Sequence, residues 1–92
     1  MQKIVLKGFI LVPLKDLSAI QSEIVNHKRL TLKESGCLVF EVTQAKENPC
    51  RFDVYEEFID KAAFDMHQER VRSSLWGEVS ENVERHYEIL CK

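Results

Sequence analysis

The stretch Cys37–Ile59, CLVFEVTQAKENPCRFDVYEEFI, holds two runs in which apolar residues recur at every second position. In the first run Leu38, Phe40 and Val42 share one face, and Cys37, Val39, Glu41 and Thr43 share the other. In the second, Phe52, Val54, Glu56 and Phe58 oppose Asp53, Tyr55 and Glu57. A period of two is the spacing of a half-buried strand. The polar run Ala45–Glu47 followed by Asn48-Pro49 reads as a turn, because proline cannot donate to a ladder and asparagine folds back readily. The two runs therefore form an antiparallel hairpin whose loop is longer than the tightest types.

Upstream of the hairpin, residues 3–12 (KIVLKGFILV) are β-rich and apolar on both parities, which predicts a strand covered on both faces. Pro13 ends it. Asp16 or Ser18 then offers an N-cap for a long helix reaching about Glu34. Leu17, Ile20, Ile24, His27 and Thr31 recur at steps of three and four and mark its buried stripe. Gly36 has the position of a C-terminal helix stop. Downstream, Asp60 caps a second helix running through Phe64 and His67 to about Arg70. Ser73, Ser74 and Gly77 interrupt the pattern, leaving a short helical piece around Leu75 and Trp76. Glu84–Cys91 (ERHYEILC) is a last strand.

The order β-α-β-β-α-β is the split βαβ of a ferredoxin-like α+β domain spanning 1–92, with a four-stranded antiparallel sheet and its helices on one face. Helices on one face leave the other side of an apolar first strand uncovered. A second copy of the same sheet is the simplest cover, so a homodimer through the sheet face is expected.

Bulk properties narrow the function. A hydrophobic fraction of 45% with 30% charged residues is globular and argues against disorder. A net charge of −2 with scattered Lys and Arg gives no basic field, so no nucleic-acid partner is expected. The apolar stretch Gly8–Leu14 is far shorter than the roughly 20 residues that span a bilayer and lacks a small-residue cleavage site, so neither a membrane partner nor a signal peptide is expected. Three cysteines, Cys37, Cys50 and Cys91, without CxxC spacing predict reduced thiols in a cytoplasmic protein rather than a disulfide framework or a zinc site. The glycines Gly8, Gly36 and Gly77 form no phosphate-cradling loop, and the three histidines lack i,i+4 pairing. No nucleotide cofactor and no metal are therefore indicated.

The segment His27–His67 resembles the antibiotic biosynthesis monooxygenase family of small dimeric α+β barrels. A helix ends in an E-x-G-C corner and is followed by an alternating strand with an aromatic. A hairpin then leads to an aromatic-Y-E-aromatic strand and a short helix ending in His. The matching residues are Glu34, Gly36, Cys37, Phe40, Tyr55, Glu56, Phe58, Phe64 and His67. The resemblance implies activities ranging from cofactor-independent oxygenation of polyketides or quinols to haem degradation and isomerisation of a phosphorylated signal. The haem-degrading branch carries an Asn on its first strand and a Trp before the motif His. Here the first strand has no Asn, and Trp76 follows His67.

His67, in phase with Ala63 and Phe64, is the candidate general acid/base, because imidazole titrates near neutrality. It would equally serve as a helix-end hydrogen-bonding group. Glu56 lies among Phe52, Val54 and Phe58, so its carboxylate must be paired, solvated or shifted. It is the expected catalytic partner or orienting group of His67. His27, Thr31, Phe40, Phe58 and Trp76 are the expected substrate-binding residues, although His27 could instead reach water and Trp76 could be plain core. Cys37 reads as packing rather than nucleophile, and His86 as an exposed strand residue. These residues favour a cofactor-independent monooxygenase or related isomerase acting on a small aromatic, quinol-like or enolisable molecule in a helix–sheet pocket. The alternative is a non-catalytic dimeric binding or structural protein on the same scaffold.

Overall fold

The computed structural model describes residues 2–92, and its elements follow the predicted order. Strand β1 (Ile4–Leu11) leads through a single 3-10 turn, Leu14–Asp16, into helix α1 (Leu17–Leu32). Strands β2 (Cys37–Gln44) and β3 (Arg51–Phe58) form the hairpin, followed by α2 (Lys61–Arg72), the short α3 (Leu75–Val79) and β4 (Glu84–Cys91). All pairings are antiparallel, in the order β2-β3-β1-β4. This is the ferredoxin-like arrangement.

Local chemistry accounts for the helix starts. The Asp60 carboxylate accepts the Ala63 N–H at 2.9 Å, and the Ser74 hydroxyl accepts the Gly77 N–H at 3.2 Å. Each satisfies an orphan donor of a first turn. Asp16 precedes α1 but makes no side-chain cap bond, because the 3-10 turn already delivers the chain to the helix. The predicted stripe of α1 is the buried one: Ile20, His27 and Thr31 are buried, with Leu17 and Ile24 packed beside the core.

Two local readings are corrected. Gly36 is not a left-handed helix stop, since the only glycine with positive φ is Gly8. α1 has already ended at Leu32, and Gly36 is small because any Cβ there would collide with the Cβ of Ala63 on α2. Leu38 does not share a face with Phe40 and Val42. A register shift between Cys37 and Val39 sets Cys37 opposite Phe58, against the core, and leaves Leu38 half exposed. A bulge adds one residue and so re-aims the strand's first side chains.

The core lies between the helices and one sheet face, and Ile4, Leu6, Ile10, Phe52, Val54 and Phe58 join Ile20, Phe64 and Trp76 there. The opposite face is not uniformly apolar. Val5 is buried there, and Phe9 is held between the Arg51 guanidinium, 3.9 Å from the ring centroid, and the stacked His86 ring. Lys3–Glu57, Lys7–Glu88 and Arg51–Asp53 ion pairs and the Tyr55–Glu57 hydrogen bond frame these apolar residues. The helices stop short of β4, whose Tyr87 and Ile89 stay partly exposed on the helix side.

Candidate functional site

Glu56 is placed by register. It pairs with Leu6 on one side and Phe40 on the other, at the centre of the helix-facing sheet surface, and is only 6% exposed. α2 lies above it and points His67 down into the same space. The Nε2 of His67 is 3.8 Å from Glu56 Oε1, just beyond hydrogen-bond reach. A single ligand oxygen can therefore contact both groups.

The other face of the imidazole is held firmly. His67 Nδ1 lies 3.0 Å from Glu34 Oε1, so the N–H on Nδ1 donates to that carboxylate. Arg70, one turn further along α2, donates to Glu34 through Nε and to the Thr31 hydroxyl through its terminal nitrogen at 2.9 Å. A carboxylate at Nδ1 selects the tautomer with a free lone pair on Nε2. Burial holds the His67 pKa below the ordinary histidine range, with the Glu34 carboxylate opposing that effect. The side chain is thus a neutral imidazole whose basic nitrogen faces Glu56.

Glu56 is pushed the other way. Burial, reinforced by the Glu34 charge, raises its carboxyl to about 8. At neutral pH it is a carboxylic acid and can donate a proton. Environments that drive two adjacent groups apart in this way define an acid and a base. The site therefore combines an oriented base, His67 Nε2, with a buried acid, Glu56.

A cleft of about 420 Å³ opens beside this pair, lined by His27, Glu56, His67, Trp76, Tyr87 and Arg85 among others. That volume suits a small molecule. His27 stacks on the Trp76 indole at 4.7 Å and 6° and meets the Phe40 ring edge-on at 5.2 Å. Burial, followed by repulsion from His67 and the guanidiniums of Arg70 and Arg85, lowers its pKa to about 3, so it is neutral. Arg85 crosses the far end of the cleft and donates to the Ser80 hydroxyl at 2.9 Å and to backbone carbonyls. The Tyr87 phenol is raised to about 12 by burial and the nearby Glu56, and stays protonated.

Of the residues singled out from sequence, His27, Glu56, His67 and Trp76 converge on the cleft. Phe40 lines a smaller void beside it. Thr31 and Phe58, both fully buried, do not line the cleft. Thr31 supports Arg70, and the Phe58 ring lies 4.9 Å from the His67 ring as its backing wall. Trp76 serves as both core and cleft wall. The Cys37 thiol is raised by burial and by Glu34 and Glu56, which suits packing rather than attack. His86 is exposed and pairs with Glu84. Arg70, Arg85 and Tyr87 were missed. Arg70 lies one turn after His67 on the same helix, a visible spacing, whereas Arg85 and Tyr87 share a solvated-looking strand with no such signal. Among the described residues no group of three or more His, Cys, Asp or Glu could hold a metal ion.

The fold and this arrangement define a small α+β protein with a helix–sheet cleft. The antibiotic biosynthesis monooxygenase family model matches residues 15–74, and the chain belongs to that family. Among solved structures, a putative antibiotic biosynthesis monooxygenase from Nitrosomonas europaea is similar at TM-score 0.78 and 15% identity, covering 99% of this chain and 88% of that one. A conserved protein from Bacteroides thetaiotaomicron described as a possible oxidoreductase is similar at TM-score 0.83 and 17% identity, covering 99% and 98%. A conserved protein from Methanosarcina mazei Go1 has TM-score 0.74 and 26% identity, covering 100% and 92%. Among curated proteins no sequence matches. No helix among the described residues is long and apolar enough to cross a membrane.

Proposed function

We propose that this protein is a cofactor-independent monooxygenase, or a related isomerase, acting on a small aromatic, quinol-like or enolisable substrate in the cleft. The observation that carries the reading is the buried acid–base pair. Neutral His67 is oriented by Glu34 and faces Glu56 at 3.8 Å beside an open cleft of about 420 Å³. Family membership supports the same chemistry.

His67 Nε2 takes a proton from an activated C–H or O–H of the substrate and leaves a delocalised carbanion or enolate. In the isomerase version, Glu56 returns a proton at a different atom; in both versions the proton left on His67 Nε2 then passes to the Glu56 carboxylate, which restores the pair. In the oxygenase version the carbanion reduces dioxygen, a carbon–oxygen bond forms, and Glu56 protonates the peroxide anion. Loss of water from the hydroperoxide of a former CH₂ leaves a carbonyl, so one oxygen atom enters product and the other leaves as water. The stacked rings of Trp76 and neutral His27 supply a flat wall suited to a planar substrate.

The test is oxygen uptake and product absorbance across a panel of quinols, anthrone-like CH₂ compounds and enolisable ketones. Turnover is expected to fall about 10²-fold or more in His67→Ala. An unchanged rate in that variant removes the assignment, and a wild type that binds panel members without turning any over favours a non-catalytic binding protein. The same reading takes 1–92 as one domain that works as a homodimer in the cytoplasm. Val5, Phe9, Leu11 and Leu90 supply the apolar contacts of the sheet face.

A further inference from the structure

Beside the cleft lies a smaller void of about 30 Å³, lined by Ile10, Val54, His27, Phe40, Glu56 and Tyr87 among others. It is too small for a substrate and about right for one water molecule. Two side chains that line it are also, among the described residues, the two buried side chains with an unsatisfied polar atom. His27 Nδ1 and Glu56 Oε1 have no hydrogen-bond partner among the described residues, although the two residues are only 4% and 6% exposed. A buried polar atom left unpaired keeps the full cost of its lost hydration. Orphans bordering one water-sized space point to a shared partner.

We propose that this void is a one-water site in which the water bridges His27 Nδ1 and Glu56 Oε1, making His27 the residue that positions the Glu56 carboxyl. The functional half of this proposal rests on the acid role given to Glu56 above. Once Glu56 has released its proton, the bridging water donates to the carboxylate oxygen, which accepts no hydrogen bond from the described residues, and steadies its charge. Water suits both states, since it can accept from a carboxylic acid or donate to a carboxylate. Either tautomer of His27 completes the bridge, as an N–H donor to the water or as a lone pair accepting from it. The charged and titratable groups around Glu56 are His27 and Glu34 from the α1 side, Cys37 from the start of β2, His67 and Arg70 from α2, and Arg85 and Tyr87 from β4. Among these, Glu34 and Arg70 are already paired with each other, and Arg85 is tied to Ser80.

A crystal structure of the wild-type protein that resolves ordered water tests the site directly. A density peak within hydrogen-bond distance of both His27 Nδ1 and Glu56 Oε1 is expected, and a site without one overturns the proposal. Infrared difference spectroscopy, with Glu56→Gln identifying the band, then reads the Glu56 carboxylic C=O stretch. In His27→Phe the peak should vanish, the band should move to higher frequency, and the ionisation midpoint of Glu56 should rise. An unmoved band and midpoint overturn the bridge. Should His27→Phe fail to fold, the wild-type band decides: a hydrogen-bonded frequency is expected, and a free-acid frequency overturns the proposal. None of these readouts involves turnover. Their failure therefore removes the water site, whereas an unchanged rate in His67→Ala removes the catalytic reading.

Discussion

Glu56 carries an energetic cost that can be measured residue by residue. Its folded pKa of about 8 stands above the ordinary value of 4.5, so the fold prefers its neutral form. Its contribution to stability is fully present below pH 4.5 and is lost as pH rises through about 8. Keeping the proton while the unfolded chain would release it costs about 1.4 kcal/mol for every pH step of one, so the loss at pH 7 is on the order of 3 kcal/mol. Glu56→Gln is neutral at every pH. Denaturant unfolding should show its stability relative to wild type climbing from pH 5 to pH 8, and a constant difference would contradict the raised pKa. His27 works in the opposite sense. Its folded pKa of about 3 lies below the ordinary 6.5, so its contribution is present above 6.5 and fades as pH falls toward 3. In His27→Gln, which cannot be protonated, the acid side of the stability profile should flatten, and an acid limb as steep as wild type's would count against a buried neutral imidazole. The need for a polar partner at Glu56 was legible from its apolar strand neighbours. That Glu34 rather than Glu56 orients the His67 ring was not legible, because residues 34, 56 and 67 meet only once three elements pack.

At the scale of elements, the contact between the β2 entrance and α2 is set by a glycine facing an alanine. A Cβ on Gly36 would strike the Cβ of Ala63, while the Gly36 carbonyl accepts the Ile59 N–H at 2.9 Å. Gly36→Ala should therefore push α2 off the sheet and cost about 1–3 kcal/mol, the usual penalty for overpacking. Because α2 carries His67, ligand affinity or turnover should fall with it. Adding Ala63→Gly removes the opposing methyl, so the double variant should regain most of the stability in a thermal melt. If the single variant melts like wild type, the close approach is not what sets the helix position. Sequence alone placed a glycine at a helix end and read it as a stop. Close approach to another element is invisible locally, since both explanations require the same small residue. The bulge at Leu38 was hidden for a similar reason: alternation continues unbroken through CLVFEV, and only pairing with β3 shows where a residue is skipped.

For the whole molecule, the surface of 5778 Å² is close to the roughly 5,500 Å² expected for a monomer of 10.8 kDa. Area by itself therefore does not demand a partner. The case for a dimer rests on composition: apolar side chains on the outer sheet face inside a frame of ion pairs, and the part-exposed Tyr87 and Ile89 on β4. Sedimentation at micromolar concentration should report twice the chain mass. Phe9→Glu, which sets a charge in the middle of that face, should shift the mass to that of one chain. A wild type that sediments as a single chain would end the dimer proposal while leaving the fold intact. Urea unfolding should likewise proceed in one transition if 1–92 is a single domain, and two separated transitions would refute that.

Element order, strand parity outside the bulge at Leu38, and the buried stripe of α1 were written in the local pattern of the chain. Each depends on a periodicity of two or 3.6 that a few consecutive residues already reveal. So was the identity of the principal polar candidates, since a His or Glu on an apolar face stands out without any fold. What only tertiary packing decided was which of them meet and in what protonation state. Glu34, Glu56 and His67 come from a helix end, a central strand and a second helix, and the desolvation that separates the acidities of Glu56 and His67 exists only when those elements exclude water together. The same packing left Thr31 and Phe58 behind the cleft and brought Tyr87 and Arg85 into it. Local patterning dictates which way a side chain faces; water exclusion at the meeting point of distant segments dictates what that side chain can do.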